Sequence, residues 1–226
     1  MQLTEQISKY LKSTSLCDSD SAEIKKKARE LTKRTKTPKG AALKIFYFVR
    51  DEIPYSFNFT DVKASQTLRT MLGFSLQKTN LQIALLRAAG IPTKYRRVRY
   101  KKQLLRGIIP SLLYMVLPEV NPHVWCECYL SGKWISCEAM LDKALVESMT
   151  QRGFAAASQI ATIDWDGAND LVVVKPWIVE DFGAYSSLDN LYMELAKRQL
   201  GPKILQRTVF SMSNRHTSRL RQLTGK

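Results

Sequence analysis

Ser75 is placed where a hydroxyl could act as a nucleophile. It directly precedes an apolar run from Leu76 to Ala89, so it would lie at the amino end of a buried helix. At that end the helix dipole and the unpaired backbone N–H groups stabilise negative charge on a substrate oxygen. A serine at this position is also typical of an N-cap, which is a purely structural role. The position alone therefore predicts either a nucleophile or a helix cap.

His123 and Glu138 are predicted to meet on one face of a hairpin. Val124 to Leu130 and Lys133 to Glu138 have the composition of two strands, and Ser131-Gly132 between them favours a two-residue turn. In that register His123 and Glu138 are diagonal neighbours. A carboxylate there would orient the imidazole and stabilise its charged form. A three-residue loop would instead place the two side chains on opposite faces of the hairpin.

The same hairpin carries three of the four cysteines, which raises the question of a zinc site. Strand alternation puts Cys126 and Cys128 on the face opposite His123, with Cys137 across from Cys126. This placement makes a shared zinc ion the less favoured interpretation. The sequence favours buried core thiols, and we expect neither a metal nor a cofactor.

The surrounding segments predict alternating helices and strands that would hold these residues in place. The apolar stretch 103–120 is broken by Gly107, Pro110 and Pro118, which indicates an insertion that forms a wall or a lid. The other expected elements are helices over about 3–11, 21–33, 37–51, 141–151 and 188–199, strands over 94–100 and 171–174, and a basic carboxy-terminal tail.

Charge is uneven along the chain, with 35 Lys and Arg against 20 Asp and Glu and a net charge of +15. Between Val62 and Pro118 there are basic residues but no acidic ones, and the same holds after Glu194. Such patches are usually a solvated surface, but they also suit an anionic partner, above all an acidic carrier protein. No helix-turn-helix, zinc-finger or RNA-recognition signature is present, so nucleic acid is the less favoured partner.

The sequence also bears on location. No run approaches the roughly 18 consecutive apolar residues of a membrane span, and the stretch from Met1 to Lys12 lacks the apolar region of a signal peptide. We therefore expect a cytoplasmic protein with no membrane span.

Four segments together resemble bacterial and archaeal transglutaminase-like proteins. They are ASQTL at 64–68, GFSLQKTNLQIALLRAAGIP at 73–92, HVW at 123–125 and WISCE at 134–138. The resemblance covers about residues 37–142. It implies an α+β, papain-like fold, in which a central helix packs on an antiparallel sheet and carries the first member of a Cys-His-Asp triad. The whole chain, 1–226, would be a single domain, with N-terminal helices over 1–36, the core over about 37–142 and a C-terminal extension over 143–226.

Two positions depart from the pattern of that family. Ser75 stands where the family has cysteine, and Glu138 stands where it has aspartate, while His123 matches the family histidine. The resemblance thus implies a Ser-His-Glu triad for acyl transfer from a thioester, ester or amide. Three explanations of the serine stay open: a natural serine enzyme, a Cys→Ser substitution of a cysteine acyltransferase or peptidase that traps a complex, or an inactive binding module that keeps the fold. The glutamate slightly favours the first.

Overall fold

The computed structural model describes residues 6–198 and 203–222, which contain eight longer α-helices besides a helical turn at 6–8. Short 3₁₀ turns connect several of them. Within the described residues, no helix has both the length and the apolar character needed to cross a bilayer. The helices are α1 (Ala22–Thr32), α2 (Pro38–Tyr47), α3 (Ala64–Thr70), α4 (Ser75–Ala88), α5 (Ser111–Val116), α6 (Lys143–Gln151), α7 (Asp189–Arg198) and α8 (Lys203–Gln222).

A four-stranded antiparallel sheet organises the chain, in the order β3-β2-β1-β4. The strands are β1 (Thr93–Lys101), β2 (Val120–Leu130), β3 (Lys133–Ser136) and β4 (Ile178–Tyr185). Ser131 and Gly132 join β2 to β3 with positive φ angles of 50° and 84°, as a two-residue hairpin turn requires. The resulting register pairs Glu127 with Ser136, so the predicted two-residue turn is confirmed.

Helix α4 is the centre of the fold. It is buried from Ser75 to Arg87, because β2 covers one side and α1, α2 and α3 pack around the others. This surround explains why its apolar residues are not confined to one stripe, and why polar residues such as Gln77 and Asn80 are buried as well. The predicted α+β architecture, with a central helix on an antiparallel sheet and further helices at both ends, is confirmed.

Two hydrophobic cores lie on the two faces of the sheet. The first holds α4 with the inward side chains of α1 and α2 and the even-numbered residues of β2, such as Val124 and Cys126. The second holds Trp125, Val98, Trp177 and Leu220 from α8. Phe74, directly before α4, packs against both cores. The start of α4 is therefore the point where the two cores meet.

Several predicted elements differ from those observed. Helix α2 ends at Tyr47 and continues as a π-helical turn, Phe48–Glu52. Leu171–Val174 forms a single bridge from Leu171 to Cys137, so the strand predicted there is wrong, whereas β4 was not predicted. The expected tail is the 20-residue helix α8. The helix expected at 3–11 agrees with the structure where it is described: residues 3–5 lie outside the described part of the chain, residues 6–8 are α-helical, and a 3₁₀ turn follows at Lys9–Leu11.

A buried ion pair fastens α8 to the core. Asp142 accepts two hydrogen bonds from Arg221, at 2.8 and 2.6 Å, and also caps α6 through the N–H of Leu145. Its second oxygen accepts the N–H of Tyr55, and Arg221 donates to the carbonyl of Tyr55. Burial alone would raise the pKa of Asp142, but Arg221, Lys78 and the N–H of Tyr55 together hold that pKa below its ordinary value.

We predict that Asp142→Asn lowers the free energy of unfolding by about 3 kcal/mol, because it leaves the Arg221 charge buried without its partner. Urea denaturation followed by circular dichroism measures this change. Glu52→Gln, at an exposed position, is the control and should change stability by less than about 0.5 kcal/mol. Equal stability of the two variants would contradict the importance of the pair.

Candidate active site

His123 and Glu138 form a buried pair. His123 Nε2 lies 2.7 Å from Glu138 Oε1, and the two side chains are 0% and 1% exposed. His123 stands on β2 opposite Val98, and Glu138 follows β3 by two residues. Because β3 ends at Ser136, no strand among the described residues pairs with the β3 side of β2 before Cys126. Glu138 fills this open edge and reaches the imidazole across it.

The second oxygen of Glu138 is held by backbone. Oε2 accepts the N–H of Val173 at 2.5 Å and the N–H of Val174 at 3.2 Å. The backbone N–H of Glu138 in turn donates to the carbonyl of Leu171. All three acceptor contacts of the side chain suit an ionised carboxylate, which only accepts hydrogen bonds. The apolar stretch 171–174, which the sequence analysis assigned to a strand, supplies these partners.

The pair leaves one imidazole nitrogen available. Since the carboxylate accepts, His123 Nε2 carries the proton of this hydrogen bond. His123 Nδ1 is buried and has no hydrogen-bond partner among the described residues. In the neutral ring Nδ1 then carries a free lone pair, and a general base accepts a proton at such an atom.

Ser75 is the first residue of α4 and heads the helix face that packs on β2. One turn further on, Thr79 donates its hydroxyl proton to the carbonyl of Val124, the residue after His123. Gln82, on the same face, donates to the carbonyl of Cys137, the residue before Glu138. The helix face that begins at Ser75 is therefore fixed to the residues that neighbour His123 and Glu138 in sequence.

The helix-cap interpretation of Ser75 is wrong. The N-cap residue is Phe74, and the N–H of Phe74 donates to Gln77 Oε1 at 3.1 Å. Ser75 already has helical backbone geometry, and no hydrogen bond among the described residues uses its backbone N–H as donor. A hydroxyl group and a backbone donor without a partner among the described residues therefore stand on the same residue, at the positive end of the helix dipole.

Ser75 and His123 are not hydrogen bonded, since His123 Nδ1 has no partner in the described part of the chain. Ser75 is 7% exposed. Aromatic rings pack around the region: Tyr100 lies 5.4 Å from the imidazole between ring centres, and Phe57 stacks on Phe74. The site is covered and apolar, which excludes water from the His123–Glu138 pair.

None of the four cysteines replaces the family thiol. All four are free and buried. Cys126, Cys128 and Cys137 lie in the first core, on the sheet face opposite His123, as predicted. Burial raises the pKa of Cys17 to about 11 and also raises the pKa of Cys137. These thiols remain protonated at neutral pH and are poor nucleophiles.

Lys78 is a buried charged residue that the sequence patterns did not predict. It lies one turn beyond Ser75, is 1% exposed and donates from Nζ to the carbonyls of Arg50 and Ile53, at 2.9 and 2.7 Å. Burial lowers its pKa to about 7, although nearby Asp142 acts in the opposite direction. A neutral amine still donates both bonds. The available signal in the sequence was a lysine among the apolar residues of the central helix.

Comparisons with known proteins agree with this architecture. Residues 25–139 match the sequence profile of the family described as the transglutaminase-like superfamily. The chain therefore belongs to this superfamily. No curated protein matches the sequence.

Two solved structures are similar in part. One is a protein from Cytophaga hutchinsonii described as a "putative cysteine protease", with 19% identity, a TM-score of 0.53 and coverage of 81% of this chain. The present chain spans 48% of that protein, and the similarity concerns the fold alone. The other is a "putative protease" from Parabacteroides distasonis, with 17% identity and a TM-score of 0.38, over 58% of this chain and 25% of that protein.

We predict that Lys78 makes stability rise with pH above neutrality. The unfolded lysine keeps its proton up to about its ordinary pKa of 10.5, whereas the folded one loses it above a pKa of about 7. The unfolded state then binds more protons, so stability rises by up to about 1.4 kcal/mol per pH unit.

The measurement is the difference in free energy of unfolding between wild type and Lys78→Met at pH 7, 7.75 and 8.5. Taking the difference cancels the titration of the other groups. Lys25→Met, at an exposed position, is the control and should run parallel to wild type. Parallel curves for Lys78→Met as well would show that Lys78 stays charged.

Proposed function

We propose that the protein catalyses acyl transfer with Ser75 as nucleophile, His123 as general base and Glu138 as the residue that orients the imidazole. The observation that carries the proposal is the buried His123–Glu138 hydrogen bond, which fixes the tautomer and leaves Nδ1 without a partner among the described residues. Hydrogen bonds to a nucleophile are often formed only in the complex with substrate, so their absence between Ser75 and His123 is compatible with this role.

The chemistry would run in two halves. Ser75 Oγ attacks the carbonyl carbon of a thioester, ester or amide while its proton passes to His123 Nδ1. The negative charge moves to the carbonyl oxygen, and the backbone N–H of Ser75 is the donor placed to meet it. The leaving group departs with the proton from Nδ1. Water or an amine then attacks the acyl-serine by the same route in reverse, with Glu138 stabilising the imidazolium each time.

The covered, aromatic surroundings of Ser75 favour a substrate with an apolar acyl part. The uneven positive charge supports a donor carried by an acidic partner, such as an acidic carrier protein. Hydrolysis, amide formation and cyclisation share the first half of the mechanism and differ only in the acceptor.

The alternative function is an inactive binding module of the same fold. The observation in its favour is that Ser75 is 7% exposed and makes no hydrogen bond to His123. A serine placed in machinery that evolved for a thiol would give this arrangement, and a trapped cysteine enzyme would give it too.

We predict that a fluorophosphonate and a small acyl thioester each modify Ser75 covalently. Intact-mass measurement and peptide mapping would locate the adduct, and Ser75→Ala should abolish it. Ser148, which is also buried but lies on α6, provides the control variant Ser148→Ala, which should react like wild type. Reaction of Ser75→Cys alone would instead identify the machinery of a cysteine enzyme, and inertness of every variant would favour the binding module.

A further prediction concerns the carboxylate. Glu138→Gln should lower kcat by about 10²–10⁴-fold, because it removes the charge that supports the imidazolium and disturbs the tautomer. Glu127→Gln, on the same hairpin but paired with Lys94, should lower kcat by less than about threefold. Thermal melts of both variants check folding. Equal kcat for Glu138→Gln and wild type would remove Glu138 from the mechanism.

A further inference from the structure

Most of the basic residues on β1 are already neutralised within the molecule. Lys94 pairs with Glu127, Arg96 with Asp181 and Glu127, and Arg99 with Glu180. Arg97 lies over the ring of Phe182. The basic run that dominates the sequence is therefore a weak docking surface for an anionic partner.

The arginines of α8 are different. Arg207, Arg215 and Arg219 are exposed and recur along one face of the helix, and no ion pair joins any of them to a carboxylate in the part of the chain that the structure describes. Arg207 and Arg219 are separated by about 18 Å along the helix axis. The opposite face of α8 is buried through Ser213, Thr217 and Leu220. This orientation holds the three guanidinium groups toward solvent in a row.

These arginines line a cleft of about 1020 Å³ between α8, α3 and the segment 56–62. Phe57, Phe59 and Phe210 contribute apolar surface to it, and Asp61 is the one carboxylate among the described residues that line it. The cleft therefore combines a row of positive charge with an apolar floor.

The cleft adjoins the nucleophile through its floor. The ring of Phe57 stacks on Phe74, the residue before Ser75, with ring centres 6.4 Å apart. The N–H of Ser56 donates to the carbonyl of Gly73. Asn214 of α8 binds the backbone of Phe57 twice, accepting from its N–H and donating to its carbonyl. A molecule in the cleft would thus lie one residue layer from the start of α4.

We propose that this cleft binds an acidic polypeptide segment that belongs to the acyl donor, with Arg207, Arg215 and Arg219 pairing with its carboxylates. The inference rests on the proposed acyl-transfer function for the identity of the donor, but the binding itself does not require catalysis. Three charges spread over about 18 Å match a row of carboxylates on a polypeptide, whereas a single phosphate would engage at most two neighbouring arginines.

The aromatic residues argue against nucleic acid. Base stacking uses open ring faces, whereas Phe57 already stacks on Phe74 and Phe59 packs edge to face with Phe210 at 5.3 Å. The ion pairs of Lys94, Arg96 and Arg99 also make β1 a poor second contact for a phosphate backbone.

The test uses a fluorescein-labelled, Glu-rich peptide of about twelve residues with interspersed leucines, and measures its binding by anisotropy. All binding variants carry Ser75→Ala, so the measurement is independent of turnover. Arg215→Glu with Arg219→Glu should weaken binding by at least about tenfold and reduce its salt dependence. The matched control, Lys101→Glu with Arg106→Glu, makes the same change in net charge elsewhere and should weaken binding less than about twofold. If charge reversal disturbs folding, the neutral variant Arg215→Gln with Arg219→Gln replaces it and should also weaken peptide binding.

Three results would overturn the proposal. They are no saturable binding to the Ser75→Ala protein, equal weakening in both charge-reversal variants, or tighter binding of a twelve-nucleotide oligothymidine that is lost in the α8 variant. With Ser75 restored, the α8 variant should keep wild-type kcat/KM on a small neutral ester. Loss of peptide binding with retained ester turnover therefore separates the cleft from the catalytic machinery, and failure of ester turnover in wild type would contradict only the proposed function.

Discussion

The hydrogen-bonding requirement of one buried carboxylate, that of Glu138, governs the arrangement of the site. A charged carboxyl group removed from water costs several kcal/mol unless donors surround it. Here the donors come from His123 on β2 and from the backbone of Val173 and Val174, more than thirty residues further along the chain. Satisfying one side chain therefore fixes the imidazole, the edge of the hairpin and the path of the chain after α6.

The length of the Glu138 side chain meets the same requirement. A glutamate side chain is one methylene longer than an aspartate side chain, so its second oxygen lies further from the hairpin and needs a donor there. The N–H groups of Val173 and Val174 meet it there, after Leu171 has paired with the residues that end β3. The length of Glu138 is thus matched by the backbone donors that surround its second oxygen.

Sequence patterns predicted the features that depend on local geometry. The two-residue turn at Ser131-Gly132 set the register that brings His123 to Glu138, and the all-round apolar pattern identified α4 as the central helix. The patterns failed where long-range contacts decide. The apolar residues 171–174 are buried without forming a strand, and β4 is a partly exposed edge strand whose register shifts twice against β1. Helix α8 was missed because its arginines suggested a tail, although its buried residues recur at helical spacing.

Charge illustrates the same limit, because a count of basic residues does not reveal which of them have partners. The acidic residues that neutralise β1 lie on β2 and β4, so the pairing depends on the order of strands in the sheet. On the described part of α8, by contrast, only Arg221 meets a buried carboxylate, that of Asp142, while the arginines that line the cleft face solvent. Asp142 and Asn214 both bind the backbone of the segment 55–57, and Tyr55 in that segment bridges to Gly73. One short segment thus connects the cleft-lining arginines of α8 to the residues that precede Ser75, so the cleft and Ser75 are held by the same backbone.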